Sequence, residues 1–325
     1  MNQDLQDVIK GINKKFGDGA IMRLGDDPGK YDISTVSSGS IKLDKALGGG
    51  VPLGRTIELY GPQMSGKTTL AFHIVANIQK QDGLAAFVDA EHTIDPKLAK
   101  EYGVDTDNLF VSQPNSGEEA IDVTEALIRS GKFRVIVIDS VAALTPMAEV
   151  ETDMGQQHMG LQGKLMSKAL RKITSIGSKN NCTVIFINQL REKVGIMFGN
   201  PEVTSGGRAL KFYASIRINI RVIEKLKDKD GLIYGHKVKC KVTKNKVAPP
   251  FKEAEFELIY GKGFDNQGEV VDIALDLGIL AKKGSWYSYD DQNIAQGEIN
   301  TKQAVAADKE LYEEILAKVK EEVSI

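Results

Sequence analysis

The segment from Thr56 to Thr68, TIELYGPQMSGKT, constrains the fold more than any other: a short apolar run ends in G-x-x-x-x-G-K-T. Such a segment has to leave a buried strand, curl through conformations that glycine tolerates, and open a helix. The curl aims successive N–H groups at one point, at the positive end of that helix, where a chain of phosphates is held. The cradle would run through Gly61, Pro62, Gln63, Met64, Ser65 and Gly66 to Thr68 and Thr69. Lys67 would reach the β and γ phosphates, and the Thr68 hydroxyl would ligate magnesium.

The rest of the chain supplies a fitting frame. Strand-like runs lie at 56–60, 85–89 (AAFVD), 109–113 (LFVSQ), 135–139 (VIVID) and 183–189 (TVIFINQ), and most are separated by helical stretches. One of these opens at Ser116, where Glu119 completes a capping box. Nearly continuous apolarity predicts strands buried on both faces of a parallel sheet, hence an α/β core with crossover helices. Further on, HKVKCKVTKN places Val238, Cys240 and Val242 on one face and Lys237, Lys239 and Lys241 on the other. With FELIY (256–260) it reads as an antiparallel addition. Ahead of the core, Leu5, Val8, Ile9, Ile12 and Phe16 recur at helical spacing before Gly17 and Gly19, an amphipathic helix in need of cover. The boundaries that follow are 1–30 for this helix and its linker, 31–265 for the core, and 266–325 for a small α+β domain. That last domain carries EVVDIALDLG and KELYEEILAKVKEE around GSWYSY, and reads either as a cap built on Trp286 or as a gateway for duplex DNA.

Composition narrows the setting. At 42 % apolar and 26 % charged residues, without a leader-like start or an 18-residue apolar run, the 325-residue chain is expected in the cytoplasm and not in a membrane. Cys182 and Cys240 sit in strand-like runs without ligand-spaced partners, so both read as reduced core residues. The net charge of −2 conceals ten basic against three acidic residues between Arg217 and Lys246, either a solvated strand face or a surface for anions.

The hydrolytic groups can be nominated by position. Asp139 closes VIVID as a magnesium-directing carboxylate would, although a helix N-cap is the plainer use for it. Glu91, just past AAFVD, stands where open α/β sheets gather ligand groups and could orient water for in-line attack; Asp89, His92 and Asp95 compete for the role. Gln189 at the end of its strand could bond the γ phosphate or its water and pass nucleotide state into the segment beyond. That segment, GIMFGNPEVTSGGRALKF, mixes apolar residues with glycines, and MGQQHMG (154–160) is a second such loop. These parts alone support nucleoside triphosphate hydrolysis and nothing narrower.

GPQMSGKTTL, VDAEHTIDP, VIVIDSVAALTPMAE, HMGL, FINQLR, VGIMFGNPE and TSGGRALKFYAS, in this order and spacing, resemble the bacterial RecA recombinases from about Phe16 to Tyr289. The resemblance implies a RecA-type P-loop core acting with ATP and Mg2+, polymerised as a helical filament on single-stranded DNA and exchanging strands with a homologous duplex. It implies self-cleavage of a LexA-type repressor stimulated by that filament. Met159 of the first loop and Ile196 of the second would enter gaps between bases, with Arg171, Arg191, Gly206, Gly207 and Arg208 on the DNA. Lys244 and Lys246 would reach the phosphates of an adjacent subunit as an arginine finger does, and Phe212 would pack at that interface. Leu98 replaces an adenine-stacking Tyr of many relatives, leaving adenine to Asp95 and apolar packing. The chain ends at VKEEVSI without a long acidic tail, so restraint of duplex binding by such a tail is expected to be weak. Rival readings are a ring-forming RecA-type helicase or translocase, a small-molecule kinase, and a scaffold that uses ATP only as a lock.

Overall fold

A computed structural model of the chain describes residues 3–23, 33–152, 160–192 and 202–323. It divides into two compact units, Met1–Ser34 and Thr35–Ile325. In the first, helix α1 (Gln3–Phe16) has Asp4 in its first turn and Lys14 and Lys15 in its last, matching the helix dipole. It stops at Gly17, whose φ of 99° lets its N–H return to the Asn13 carbonyl at 2.9 Å. Leu5, Val8 and Phe16 of this helix are exposed.

The second unit begins with β1 (Thr35–Val36), α2 (Ile41–Leu47) and β2 (Val51–Pro52). There follow β3 (Thr56–Gly61), α3 (Lys67–Gln79), β4 (Leu84–Asp89), α4 (Pro96–Glu101), β5 (Leu109–Ser112), α5 (Gly117–Arg129), β6 (Phe133–Asp139) and α6 (Met147–Val150). Then come α7 (Leu161–Lys179), β7 (Thr183–Glu192), β8 (Glu202–Thr204), α8 (Ala209–Tyr213), β9 (Ile216–Lys227), β10 (Ile233–Asn245), β11 (Glu253–Ile259) and β12 (Gly263–Phe264). Among the described residues the large sheet runs β12-β11-β10-β9-β3-β7-β6-β4-β5, with β8 on β7. The strands from β9 through β5 are mutually parallel, whereas β9 to β12 form an antiparallel extension. This is the mainly parallel sheet with antiparallel additions that the patterning implies.

Strict alternation along β6 feeds two cores: Val135 and Val137 join Leu59, Ile74 and Phe87 on one face, and Ile136 and Ile138 join Leu170 and Phe186 on the other. The run at 109–113 departs from the expected burial. β5 is an edge strand with Phe110 and Val111 exposed, because hydrophobicity alone does not distinguish an edge from a central position. The capping box also shifts: Ser116 Oγ accepts from the Glu119 N–H, but the Glu119 carboxylate accepts from the N–H of Asn115, one residue earlier. On β10, Lys237, Lys239 and Lys241 are met by Glu253 and Glu255 of β11, with Lys239 Nζ 2.6 Å from Glu253. Each exposed pair is worth little, yet together they balance much of the local positive charge. Cys182 and Cys240 are buried and unpaired, and burial pushes the Cys182 thiol up to about 12.

The C-terminal part comprises α9 (Asn266–Asp276), the antiparallel strands β13 (Ala281–Lys283), β14 (Trp286–Tyr289) and β15 (Gln292–Gln296), then α10 (Glu298–Ala307) and α11 (Lys309–Val323). Its core is Val271, Ala274, Val305, Ile315 and Val319. Trp286 does not build it: that side chain stands half exposed, and the inward-facing residues of its strand are Tyr287 and Tyr289. Alternation along β14 sends the indole outward. Glu269 of α9 joins this part to the α/β core, accepting from Ser40 Oγ (2.6 Å) and from the N–H groups of Ile41 (2.9 Å) and Lys42 (3.2 Å) at the start of α2. Burial holds its carboxyl above the usual range, and these donors partly offset that.

Two buried polar groups make the frame testable. Glu58, fully buried on β3, takes hydrogen bonds from Arg217 and from Asn188 Nδ2 (2.9 Å), while the Arg217 guanidinium lies 4.5 Å from the Tyr60 ring centre. Arg217→Met strands the buried carboxylate and is expected to cost about 3–5 kcal/mol in urea unfolding, most of it regained when Glu58→Gln is added. His73 on α3 is stacked on Phe264 and accepts its N–H at 3.0 Å, and burial, with a smaller contribution from Lys80, depresses its pKa to about 4. The unfolded imidazole binds a proton near pH 6.5 and the folded one does not, so stability present at neutral pH is lost as pH falls toward 4, by up to about 3 kcal/mol. In His73→Gln that acid-induced loss shrinks; an unchanged loss assigns it to other groups.

Candidate active site

Parallel register sets the site. β3 pairs with β7 so that Gly61 lies opposite Gln189, and β4 pairs with β6 so that Asp89 lies opposite Asp139. The carboxyl ends of four adjacent strands therefore open on one edge, the usual ligand position in sheets of this kind. The cradle leaves β3 at Gly61, where any Cβ would strike the Ile220 carbonyl at 2.1 Å. It passes Met64 at φ 56° and Gly66 at φ 92° before α3 starts at Lys67.

The Lys67 ammonium lies 2.6 Å from the Pro62 carbonyl inside its own loop, and its pKa is lowered by burial, against which Asp139 and Glu91 act. Thr68 Oγ1 donates to Asp139 Oδ2 at 2.8 Å. Burial pushes the Asp139 carboxyl up to about 6, with Glu91 and Asp89 adding repulsion and the Thr68 bond opposing. The peptide bond from Asp139 to Ser140 is cis. The Asp139 carbonyl accepts from the N–H of Ala90 (2.8 Å) and of Glu91 (3.3 Å), so the strand that carries Asp139 also places the residue beyond β4. Glu91 Oε1 accepts from Gln189 Nε2 at 2.9 Å and from the Ser140 hydroxyl.

The competing acids are otherwise engaged. Asp89 is buried and accepts from Thr93 N, Ile94 N and Gln113 Nε2, each at 3.1 Å, which organises the turn after β4. Asp95 Oδ1 caps α4 through the N–H groups of Lys97 (2.9 Å) and Leu98 (3.3 Å), and Leu98 packs on the core. His92 is exposed at φ 55°.

These residues fit a magnesium-bound triphosphate. Ser65 Oγ, in the cradle, is buried without a hydrogen-bond partner among the described residues, and the Lys67 ammonium is held inside the same loop by the Pro62 carbonyl. No cluster of three or more His, Cys, Asp or Glu able to hold a metal exists among the described residues; Thr68 and Asp139 suit an ion that keeps water and phosphate as its other ligands.

The remaining nominated residues lie on other parts of the same unit. Met159 and Ile196 fall outside the described residues. β7 continues past Gln189 to Glu192, placing Arg191, exposed, in a two-strand pairing with β8 opposite Val203. Gly206 and Gly207 adopt φ of 79° and 76°, and a Cβ on Gly206 would meet Val141 at 2.8 Å. Arg208 starts α8, and Phe212 on that helix is 70 % exposed. Arg171 is an exposed residue of α7 whose Nε donates to Ser167 O. Lys244 Nζ donates to the carbonyls of Lys211 (2.7 Å) and Phe212 (2.9 Å), away from the cradle residues; burial foremost, then Lys246 and Arg217, lower its pKa. Lys246 donates its backbone N–H to Ser215 O.

Three polar residues escaped the sequence reading. Ser140 touches Glu91; Asn188 Nδ2 joins Glu58 to the Ser205 carbonyl; Gln162 donates to Val141 O (2.8 Å) and accepts from the Gly206 N–H (3.2 Å). Ser140 could have been suspected as the neighbour of Asp139, whereas the other two carry no local signal.

Family comparison agrees with this geometry. A model described as RecA N-terminal domain matches residues 3–265, and one described as RecA C-terminal domain matches 268–324. A protein named Protein RecA from Geobacter sulfurreducens is 56 % identical over 313 residues, 96 % of this chain and 92 % of that one. Its namesake from Macrococcus caseolyticus is 54 % identical over 322 residues, 99 % of this chain and 91 % of the relative. Matched by both domain models and more than half identical to these relatives over nearly its whole length, this chain belongs to the RecA family.

Proposed function

We propose that this chain is a DNA-dependent ATPase that assembles as a helical filament on single-stranded DNA, pairs it with a homologous duplex and exchanges strands in recombination and repair. The observation that carries the reading is the unbroken row from Thr68 through Asp139 and Glu91 to Gln189, which leads into the β7–β8 pairing that bounds the second loop. A translocase or a small-molecule kinase has no use for that continuation, and a scaffold has no use for the Glu91 contacts. Matches to both RecA domain models favour the recombinase over the translocase.

In this reading the cradle N–H groups and Lys67 bind the phosphates, and Glu91 orients the attacking water. Magnesium, held by Thr68 and Asp139, supplies neutralisation of phosphate charge when bound. Gln189 holds Glu91 in the present arrangement, and its amide is placed to exchange that partner for the γ phosphate or its water and so to shift the second loop. Asp95 and the apolar wall at Leu98 receive the adenine. Arg171, Arg191 and Arg208, with the Gly206 and Gly207 turn, line the DNA path that Met159 and Ile196 enter. Lys244 and Lys246 act on the neighbour's nucleotide, Phe212 seats against that neighbour, and Lys244 first has to leave the α8 carbonyls.

Boundaries at 1–30, 31–265 and 266–325 separate an oligomerisation helix and linker, the ATPase core and a small C-terminal domain. The filament also presents itself to a LexA-type repressor in the cytoplasm. No helix among the described residues is long and apolar enough to cross a membrane.

Replacing Glu91 by Gln tests the hydrolytic assignment. Turnover on single-stranded DNA is expected to fall by about 10²-fold or more while ATP-dependent DNA binding persists, and full turnover removes Glu91 from the reaction. Subunit mixing tests the lysines. Glu91→Gln protein and Lys244→Ala/Lys246→Ala protein are each inactive alone, but an equal mixture regains about a quarter of wild-type activity, because a head-to-tail interface can combine the intact side of each. No recovery on mixing assigns the lysines to their own subunit.

A further inference from the structure

We infer that Ser140 is the positioning residue of the hydrolytic centre, its hydroxyl holding Glu91 by Oε1 so that Oε2 is left to take the water. The inference rests on the reading of Glu91 as the residue that orients that water.

The plainer use of a serine at this place is to cap the short turn Val141–Ala143 that follows. Ser140 occupies the N-cap position, but its side chain makes no capping hydrogen bond; the hydroxyl is turned to Glu91 instead. Ser140 is itself immobilised, fully buried and with its carbonyl accepting from the Ala143 N–H at 3.0 Å. A hydroxyl donating to an ionised carboxylate forms a charge-assisted bond, stronger than a neutral one and directional enough to fix a rotamer.

Glu91 is thereby gripped at both ends by two consecutive residues: the Asp139 carbonyl takes its backbone N–H, and the Ser140 hydroxyl takes its carboxylate. The second donor to Oε1, Gln189 Nε2, belongs to the strand that enters the second loop. Its bond is the one that a phosphate or a loop movement can withdraw. The Ser140 hydroxyl does not belong to that strand, so it remains the donor that keeps Glu91 oriented while Gln189 changes partner. Alanine cannot donate, and Asp would set a second carboxylate against the first.

The test uses the full-length protein on poly(dT) with ATP and magnesium. Ser140→Ala is expected to lower kcat roughly ten- to hundredfold, with the KM for ATP and the magnesium concentration for half-maximal rate changed by less than about twofold. Ser140→Cys, a weak donor of similar shape, falls between it and wild type. In a Glu91→Gln background the added Ser140→Ala causes no further loss, since a positioning residue has nothing left to position. Wild-type kcat in Ser140→Ala overturns the inference. An equal loss in both backgrounds, or a shifted magnesium requirement, also overturns it by assigning the effect to folding or to Asp139. Full turnover in Glu91→Gln alone overturns the underlying reading of Glu91, a failure distinguishable from the others because it needs no change at Ser140.

Discussion

The hydrogen bond from Thr68 to Asp139 joins the helix behind the phosphate cradle to the strand beside it, and the other contacts of the centre are referred to that junction. Asp139 reaches α3 with its side chain and the exit of β4 with its carbonyl, and its successor reaches Glu91. The junction is electrically strained. Burial raises the Asp139 carboxyl to about 6 and lowers Lys67, so each ionised group sits where its charge is poorly solvated. A folded-state value above the ordinary carboxylate one means that folding stability falls as pH rises from about 4 to about 6, as the desolvated carboxyl is forced to ionise. In the proposed function a cation at Asp139 and a phosphate at Lys67 would relieve both groups at once. A site that is costly when empty and comfortable when charged binds selectively the species whose charge it lacks.

What could be read in the sequence divides along the range of the interactions concerned. The cradle, Asp139 and the central strands announce themselves within a few residues, because glycine torsions and double-sided burial leave a local mark. β5 was misjudged in burial because Leu109 to Ser112 are as apolar as a central strand, and only the sheet order makes them an edge. The outer helices of the small domain are legible from their apolar spacing, whereas α10 and the pairing of β14 with β15 are not, and the reading of a cap built on Trp286 fails because alternation along β14 turns the indole outward. Among site residues the omissions are polar side chains whose partners are distant in sequence: Ser140 and Glu91 are 49 apart, Gln162 and Gly206 are 44 apart. Nothing near such a residue records that its partner exists.

Those same omitted residues join the row from Thr68 to Gln189 to the segments that bound the two loops. Asn188 accepts from the Gln189 N–H through Oδ1 and donates to Ser205 O, and Gln162 ties Gly206 to the segment just after Ser140. The exits of both loops are thus fastened to residues adjoining the hydrolytic row. Contact alone does not establish coupling; an element with two alternative arrangements is required. In the proposed function Gln189 would be that element, its amide turning from Glu91 toward a phosphate.

α8 offers the same kind of choice at the other end. It is five residues long, begins after Arg208, and has the Lys244 ammonium on its Lys211 and Phe212 carbonyls. A lysine that serves the neighbour's phosphate in the proposed filament vacates those carbonyls, at a cost of about 1 kcal/mol for each bond not replaced by water. Phe212, exposed on this helix, is the side chain nominated for the neighbouring subunit. Assembly would then trade an internal contact for an intersubunit one on a helix that directly follows the second loop. In the proposed filament a subunit without neighbours would keep the lysine on α8, and one with a neighbour's phosphate in reach would release it.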